Sequence, residues 1–174
     1  MARIPLLIVY TGDGKGKTTA AMGLLFRALG HGAKCGVVQF IKPDNLKTGE
    51  KRSAEHLNVL WENYGEGFLW NQDDIEPSLQ AAQKGWHRVK ELLKGQEWDL
   101  LILDELTYIL QKGFVSTAEV VQFLSTERGK THVVVTGRGA PKPLLEAADM
   151  VNEVVEIKHP FKEAKIGAQK LIEY

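Results

Sequence analysis

Short apolar segments alternate with amphipathic ones along this chain. The apolar segments are Ile4–Tyr10, Cys35–Ile41, Leu100–Leu103, His132–Thr136 and Val151–Ile157, with a weaker candidate at Leu57–Trp61. They are nearly continuous, which is typical of strands buried on both faces of a parallel sheet. The segments with helical periodicity between them are Lys17–Leu29, Leu79–Leu93, Thr117–Leu124 and Pro143–Ala148. The alternation predicts an α/β fold with a doubly wound, mainly parallel sheet of five or six strands.

The connections that follow the strands are the predicted location of a functional site. Open parallel sheets bind ligands in the crevice beyond the carboxyl ends of their strands. The loops expected to gather there follow Tyr10, Ile41, Leu103 and Thr136. The functional side chains are therefore predicted to lie in these four connections.

Two connections are long and are predicted as loops, Lys42–Arg52 and Asn63–Asp74. The second interleaves Tyr64, Phe68 and Trp70 with glycine residues. Taken alone, aromatic side chains in a loop are most simply interpreted as core packing. Long structured loops also frequently carry function, so both interpretations stay open at this point.

Length and composition restrict the class of protein. The 174 residues match the usual size of one domain, and residues 1–174 are predicted to form a single domain. The 22 Lys and Arg residues balance the 22 Asp and Glu residues, so no net field attracts nucleic acid or an anionic membrane. No apolar stretch approaches the roughly 20 residues that span a bilayer, and we expect a cytoplasmic protein. Cys35, within an apolar segment, is interpreted as a buried thiol rather than a nucleophile or metal ligand.

A glycine-rich segment, TGDGKGKTT, follows the first predicted strand and opens the first predicted helix. Glycine residues allow successive backbone N–H groups to point inward, and the helix N-terminus adds partial positive charge. Lys17 supplies a mobile cation and the Thr18 hydroxyl can coordinate Mg²⁺. This context predicts a phosphate-binding loop and a fold like that of P-loop NTPases. Thr11 stands where the usual pattern has a glycine, which indicates a variant loop.

A second acidic element ends the apolar segment Leu100–Leu103. The next two residues are Asp104 and Glu105. Carboxylate oxygens at the carboxyl end of a strand are what a Mg²⁺-dependent nucleotide site requires. The alternative is a solvated helix N-terminus stabilised by acidic side chains. With the phosphate loop present, we predict that Thr18, Asp104 and Glu105 surround a magnesium ion.

Across its whole length the chain resembles the P-loop class of ATP:corrinoid adenosyltransferases. The segments that carry the resemblance are YTGDGKGKTTAAMGLLFRALGHG (10–32), VVQFIK (37–42), TGE (48–50), GFLW (67–70), LLILDELTYIL (100–110), VVVTGRGAP (133–141), ADMVNEV (148–154) and KHPF (158–161). The loop alone is shared by many nucleotide enzymes. Its combination with VVQFIK, GFLW and TGRGAP is much more specific.

The resemblance implies transfer of the 5′-deoxyadenosyl group of ATP to Co(I) of a corrinoid, with release of triphosphate. It also implies that ATP lies reversed relative to ordinary P-loop enzymes, so that the loop holds the leaving group. Two aromatic side chains, matched here by Phe68 and Trp70, are implied to exclude the lower axial ligand of cobalt. The residues assigned to the nucleotide are Gly12, Asp13, Gly14, Lys15, Gly16, Lys17, Thr18, Thr19, Arg27, Lys42 and Arg138.

Some assignments and the rival functions remain open. Lys42 and Arg138 can equally be surface or ion-pair residues, and Arg27 shares one helix face with His31. The resemblance further implies a homodimer and an electron donor such as a reduced flavin or a flavodoxin-like protein. The rivals are a P-loop phosphotransferase or ATPase, which would form ADP, and an ATP-sensing module without catalysis.

Overall fold

The computed structural model describes residues 4–43, 48–67 and 75–172. Six strands form one sheet in the order β3-β2-β4-β5-β1-β6, and every neighbouring pair is parallel. The strands are β1 Leu7–Thr11, β2 Cys35–Phe40, β3 Leu60–Tyr64, β4 Leu100–Asp104, β5 His132–Thr136 and β6 Met150–Glu153. This confirms the predicted α/β class and the parallel sheet.

Helices cover both faces of the sheet. They are α1 Lys17–Gly30, α2 Gly49–His56, α3 Glu76–Lys94, α4 Leu106–Gln111, α5 Thr117–Thr126, α6 Lys142–Ala147 and α7 Pro160–Ala164. Alternate strand residues enter two separate cores: Val38 lies in the core that includes residues of α3 to α6, and Val37 in the core that includes residues of α1 and α2. The continuous apolar pattern of the strands is therefore explained by burial on two sides.

Several of the predicted boundaries are wrong. The expected loop Lys42–Arg52 contains the start of α2, whose N-terminal cap residue Thr48 accepts a hydrogen bond at its Oγ1 from Lys51 N at 3.2 Å. This helix buries only Ala54, so it has almost no apolar periodicity to reveal it. The expected loop Asn63–Asp74 begins inside β3, because β3 continues to Tyr64. Both ends of β3 lie three residues later in the chain than the ends of the weak candidate strand, Leu57–Trp61.

The last strand is also shorter than predicted, since it ends at Glu153 rather than at Ile157. All four residues of β6 are exposed, because the strand lies at the edge of the sheet. Beyond it, Val154 is hydrogen-bonded to Thr11 at the end of β1 and to Gly14 in the loop after β1. None of the described helices combines the length and apolar character needed to cross a bilayer.

Candidate active site

The glycine-rich segment forms a loop between β1 and the N-terminus of α1, as its sequence predicts. Gly16 is the N-terminal cap residue of α1, and no side chain caps this helix. Its first amides are therefore available to an anion. Lys17 is buried, and its Nζ donates a 2.6 Å hydrogen bond to Gly14 O within the loop. Burial lowers the pKa of Lys17 below the ordinary lysine value, since the charged form is poorly solvated there.

The backbone after β6 supports this loop, a contact that the sequence analysis missed. Gly14 N donates to Val154 O at 2.7 Å, and Val154 N donates to Thr11 O at 2.8 Å. A Cβ atom on Gly14 would lie 2.8 Å from Val154 O and from the carbonyl of Val155. Glycine is required at this position because the two backbone segments approach so closely.

Thr11, the residue that departs from the usual loop pattern, joins the phosphate loop to the loop after β5. Its Oγ1 accepts a hydrogen bond from Ala140 N at 3.1 Å, and the residue is buried. A glycine could not make this contact. The loop after β5 is held from its other side as well, because Thr107 Oγ1 donates to Arg138 O at 2.7 Å.

Replacing Thr11 by valine should lower the free energy of unfolding by about 1 kcal/mol, the usual value of one such hydrogen bond. Valine keeps the shape of threonine but leaves Ala140 N without its acceptor. Urea unfolding of the wild type, Thr11→Val and Thr11→Ser would measure the difference. Serine keeps the hydroxyl and loses a methyl group, which costs about 0.8 kcal/mol when fully buried. A Thr11→Val variant as stable as the wild type would show that the hydrogen bond to Ala140 N does not contribute.

Asp104 is the centre of a buried polar cluster at the carboxyl end of β4. Its side chain is 0% exposed. Oδ1 accepts from Thr18 Oγ1 at 2.8 Å and from Thr136 Oγ1 at 2.7 Å. Oδ2 accepts from Gln39 Nε2 at 2.6 Å. The structure thus brings together Thr18 and Asp104, which the sequence predicted as magnesium ligands, and adds Gln39 and Thr136, which it did not.

Glu105 follows in an unusual backbone conformation, with φ 59°. Its N–H donates to Thr136 Oγ1 at 3.0 Å. Burial and the neighbouring Asp104 carboxylate raise the pKa of Glu105, while the charges of Lys17, Lys42 and Arg138 oppose that shift. These three cations therefore act on one carboxyl group at the end of the sheet. A left-handed conformation at a residue other than glycine is typical of functional sites.

Not every predicted nucleotide ligand lies with this cluster. Arg27 is in the last turn of α1, ten residues and about 15 Å along the helix from Lys17, at the end away from the loop. Arg27 therefore lies away from the phosphate loop of its own chain, and its contact with the nucleotide stays a prediction. Phe68 and Trp70 lie outside the described residues.

The remaining loop residues divide by exposure. Asp13, Lys15, Gly16 and Thr19 are exposed, whereas Gly12 and Thr18 are partly buried. Among the described residues no group of three or more His, Cys, Asp and Glu side chains could hold a metal ion. A magnesium ion shared with substrate phosphates needs fewer protein ligands, and one hydroxyl with one or two carboxylates suits it.

Comparison with known proteins identifies a family. A family model described as ATP:corrinoid adenosyltransferase BtuR/CobO/CobP matches residues 3–174. A corrinoid adenosyltransferase of Sinorhizobium sp is 43% identical over 173 residues, which cover 97% of this chain and 80% of that protein. The corrinoid adenosyltransferase of Escherichia coli K12 is 41% identical over 169 residues, with 97% and 85% covered.

Among solved structures, the flagellar accessory protein FlaH of Methanocaldococcus jannaschii has a similar fold. The TM-score is 0.57 at 15% sequence identity, and the similar region covers 86% of this chain and 72% of FlaH. At this level of identity the likeness concerns the fold alone.

Proposed function

The chain belongs to the family of ATP:corrinoid adenosyltransferases, and on this basis we propose that its phosphate loop holds the leaving triphosphate of ATP. The family reaction, ATP-dependent adenosylation of a corrinoid, is the function of the chain. The observation that carries the proposed role of the loop is the buried Lys17 ammonium group, held by Gly14 O at the open N-terminus of α1. An anion that displaces this carbonyl would contact both the Lys17 ammonium group and the free backbone N–H groups at the start of α1.

The reaction is a displacement at carbon. Co(I) of the corrinoid donates an electron pair to C5′ of ATP, a cobalt–carbon bond forms, and the bond from C5′ to the triphosphate oxygen breaks. The corrinoid itself is the nucleophile, so the protein has to align cobalt with C5′ and stabilise the charge that collects on triphosphate. Lys17, with Lys42 and Arg138 near Glu105, supplies that positive charge.

The residues around Asp104 fit a magnesium ion. Thr18 Oγ1 lies 2.8 Å from Asp104 Oδ1, and Glu105 adds a second carboxyl group beside it. These are hard oxygen donors of the kind that magnesium prefers when phosphates complete its coordination. When bound, Mg²⁺ would neutralise charge on the leaving triphosphate. Thr18, Asp104 and Glu105 are the proposed ligands.

Phe68 and Trp70 are proposed to contact the lower face of the corrin. The support is the match of GFLW, residues 67–70, to the corresponding family motif. An axial ligand raises the energy of the cobalt orbital that must accept an electron. Aromatic side chains that exclude the ligand would make Co(II) easier to reduce. A reduced flavin or a flavodoxin-like protein is the proposed electron donor, and an assay with each donor and Co(II) as the starting state would test it.

A homodimer is proposed as the assembled form. The support is the exposed apolar surface after β6, where Val155, Ile157 and Phe161 are 67%, 94% and 54% exposed. Single chains seldom expose several large apolar side chains in one segment. Sedimentation equilibrium should give twice the 19.4 kDa mass of the chain; a mass of 19.4 kDa at micromolar concentration would exclude the dimer.

Identification of the phosphate product tests the proposed role of the loop. Purified protein with Mg-ATP and chemically reduced cobalamin should release inorganic triphosphate, visible by ³¹P NMR, and EDTA should suppress it. A phosphotransferase or ATPase would form ADP instead. An ATP-sensing module would bind ATP and leave it intact. Formation of ADP, or ATP that stays intact, would contradict the proposal that the loop holds the leaving triphosphate.

A further inference from the structure

Two side chains of α4 hold the peptide group that follows Arg138. The carbonyl oxygen of Arg138 accepts a hydrogen bond from Thr107 Oγ1 at 2.7 Å and a second one from Gln111 Nε2 at 2.5 Å. A backbone carbonyl oxygen has two lone pairs, so these two donors saturate it. Thr107 and Gln111 are four residues apart, which places them on one face of α4. We call these two side chains the α4 clamp.

Arg138 lies between two glycine residues with positive φ. Gly137 has φ 137° and Gly139 has φ 53°. A Cβ atom on Gly137 would lie 2.1 Å from Thr107 Oγ1, and one on Gly139 would lie 3.1 Å from Gln111 Nε2. A side chain at either position would therefore press against one member of the clamp. Glycine also gives a segment more conformational freedom, so the backbone at Arg138 depends on the clamp to keep one conformation.

The other side of the same segment is attached to the end of β1. Gly137 N donates to Tyr10 O at 3.2 Å, and Ala140 N donates to Thr11 Oγ1 at 3.1 Å. Residues 137–140 therefore connect the start of the phosphate loop to α4. Arg138 is the one charged residue among these four. The segment thus presents a single cation beside the phosphate loop.

The position of Arg138 suits a phosphate ligand. A Cβ atom on Gly137 would lie 3.3 Å from Glu105 Oε2, so this segment adjoins the Glu105 carboxyl group. Burial is the main cause of the shifted pKa values of Lys17 and Glu105, and the charge of Arg138 is a further cause in both. Arg138 is exposed, which leaves it accessible to a ligand. Its guanidinium group carries donors in a planar fork that matches phosphate oxygens.

The hydrogen bond from Gln111 adds little to the stability of the fold. Gln111 is exposed, so water could solvate its amide group if the contact were lost. Ordering a glutamine side chain costs conformational entropy of about the size of the net gain from one hydrogen bond. The main consequence of this contact is therefore local, since it fixes the carbonyl group of Arg138.

We propose that Thr107 and Gln111 are positioning residues that hold Arg138 where it binds the triphosphate of ATP. The inference rests on the proposed function, in which triphosphate lies at the phosphate loop and gains negative charge as it leaves. A cation that is already fixed at that place stabilises the charge without reorganisation during the reaction. Without the clamp, the segment between the two glycine residues samples other conformations, and Arg138 loses part of this contact.

The first test replaces Gln111 by methionine, which has a similar length but no hydrogen-bond donor. We expect kcat/KM for ATP, measured with chemically supplied Co(I), to fall about five-fold, the factor that corresponds to one hydrogen bond. Gln111 is exposed, so the variant should fold like the wild type. Gln122→Met is the matched control, because Gln122 is an exposed glutamine on α5. Its kcat/KM should stay within about two-fold of the wild type.

Two variants of Thr107 test the other half of the clamp. Thr107 is 0% exposed, so any truncation also removes packing. Thr107→Ser and Thr107→Ala both lose the methyl group, but only serine keeps the hydroxyl. We expect Thr107→Ser to keep kcat/KM within about two-fold of the wild type and Thr107→Ala to lose about five-fold. Equal values for the two variants would show that the hydroxyl does not position Arg138.

A double-mutant cycle decides whether the clamp acts through Arg138. Arg138→Ala should lower kcat/KM about 100-fold, since it removes a donor to the leaving group. The carbonyl group of residue 138 remains in this variant, so the clamp can still form but has no guanidinium group to position. Gln111→Met should then lower kcat/KM less than about two-fold in the Arg138→Ala background. A purely structural role of Gln111 would lower kcat/KM by the same factor in both backgrounds.

The inference and the proposed function fail in different ways. Wild-type kcat/KM in Gln111→Met or in Arg138→Ala, or an equal effect of Gln111→Met in both backgrounds, would overturn the positioning role while the wild type still released triphosphate. A wild-type protein that forms ADP instead of triphosphate would overturn the proposed function, and the inference with it. A loss in Gln111→Met that disappears in the Arg138→Ala background would support the clamp.

Discussion

Lys17→Ala should slow adenosyl transfer by about 100-fold or more, which corresponds to about 2.7 kcal/mol of lost transition-state stabilisation. The Lys17 ammonium group is buried at the N-terminus of α1, where little water screens it. Negative charge increases on triphosphate as the bond from C5′ breaks, so the loss should fall on kcat as well as on KM for ATP. Steady-state rates of adenosylcobalamin formation from chemically supplied Co(I) would measure both constants.

A distant lysine provides the control for this variant. Lys142 on α6 is exposed and pairs with Glu146 at 3.4 Å, so Lys142→Ala removes the same charge from the chain without touching the loop. Its rates should stay within about two-fold of the wild type, since exposed ion pairs contribute little. Lys17→Ala with rates as high as those of Lys142→Ala would contradict the leaving-group role.

Replacing Phe68 and Trp70 together by alanine should lower the rate of adenosyl transfer much more in an assay that starts from Co(II) than in one that starts from Co(I). When the assay starts from Co(II) with a biological reductant, we expect the rate of adenosyl transfer to fall at least about 100-fold, because an axial ligand then keeps cobalt hard to reduce. Each factor of ten in this rate corresponds to about 1.4 kcal/mol. Starting from chemically supplied Co(I), the loss should be about ten-fold or less. The difference arises because the aromatic pair assists reduction rather than displacement.

An exposed aromatic elsewhere controls for loss of apolar surface. Phe26 on α1 is 72% exposed, and Phe26→Ala should leave both assays unchanged. Equal losses of the Phe68 and Trp70 double variant in the two assays would mean that these side chains only bind the corrinoid. A double variant as active as the wild type from Co(II) would exclude any role for the pair.

The sequence predicted those parts of the site for which residues close together along the chain provide the evidence. Residues 11–19 combine glycine, lysine and threonine at fixed spacing between a strand and a helix, and that context determines the loop. Asp104 was predictable because it ends an apolar strand in a sheet whose ligands bind at the carboxyl edge. In both cases neighbouring residues along the chain carry the information.

The parts that the sequence did not predict depend on contacts between distant residues. Gln39 meets Asp104 only because β2 pairs with β4 in a register that places the two opposite each other. The support of Gly14 by Val154 likewise joins residues 140 positions apart through the pairing of β1 and β6. Register follows from burial across the whole sheet, so no local pattern reveals which polar side chains will meet.

The most direct test of the central claim is an anaerobic assay of purified protein with Mg-ATP and chemically reduced cobalamin, followed by the absorption spectrum of cobalt. Light-sensitive adenosylcobalamin should accumulate with one triphosphate released for each cobalt–carbon bond. ADP and phosphate without a cobalt–carbon bond would contradict the claim that this loop holds the leaving group of an adenosyl transfer.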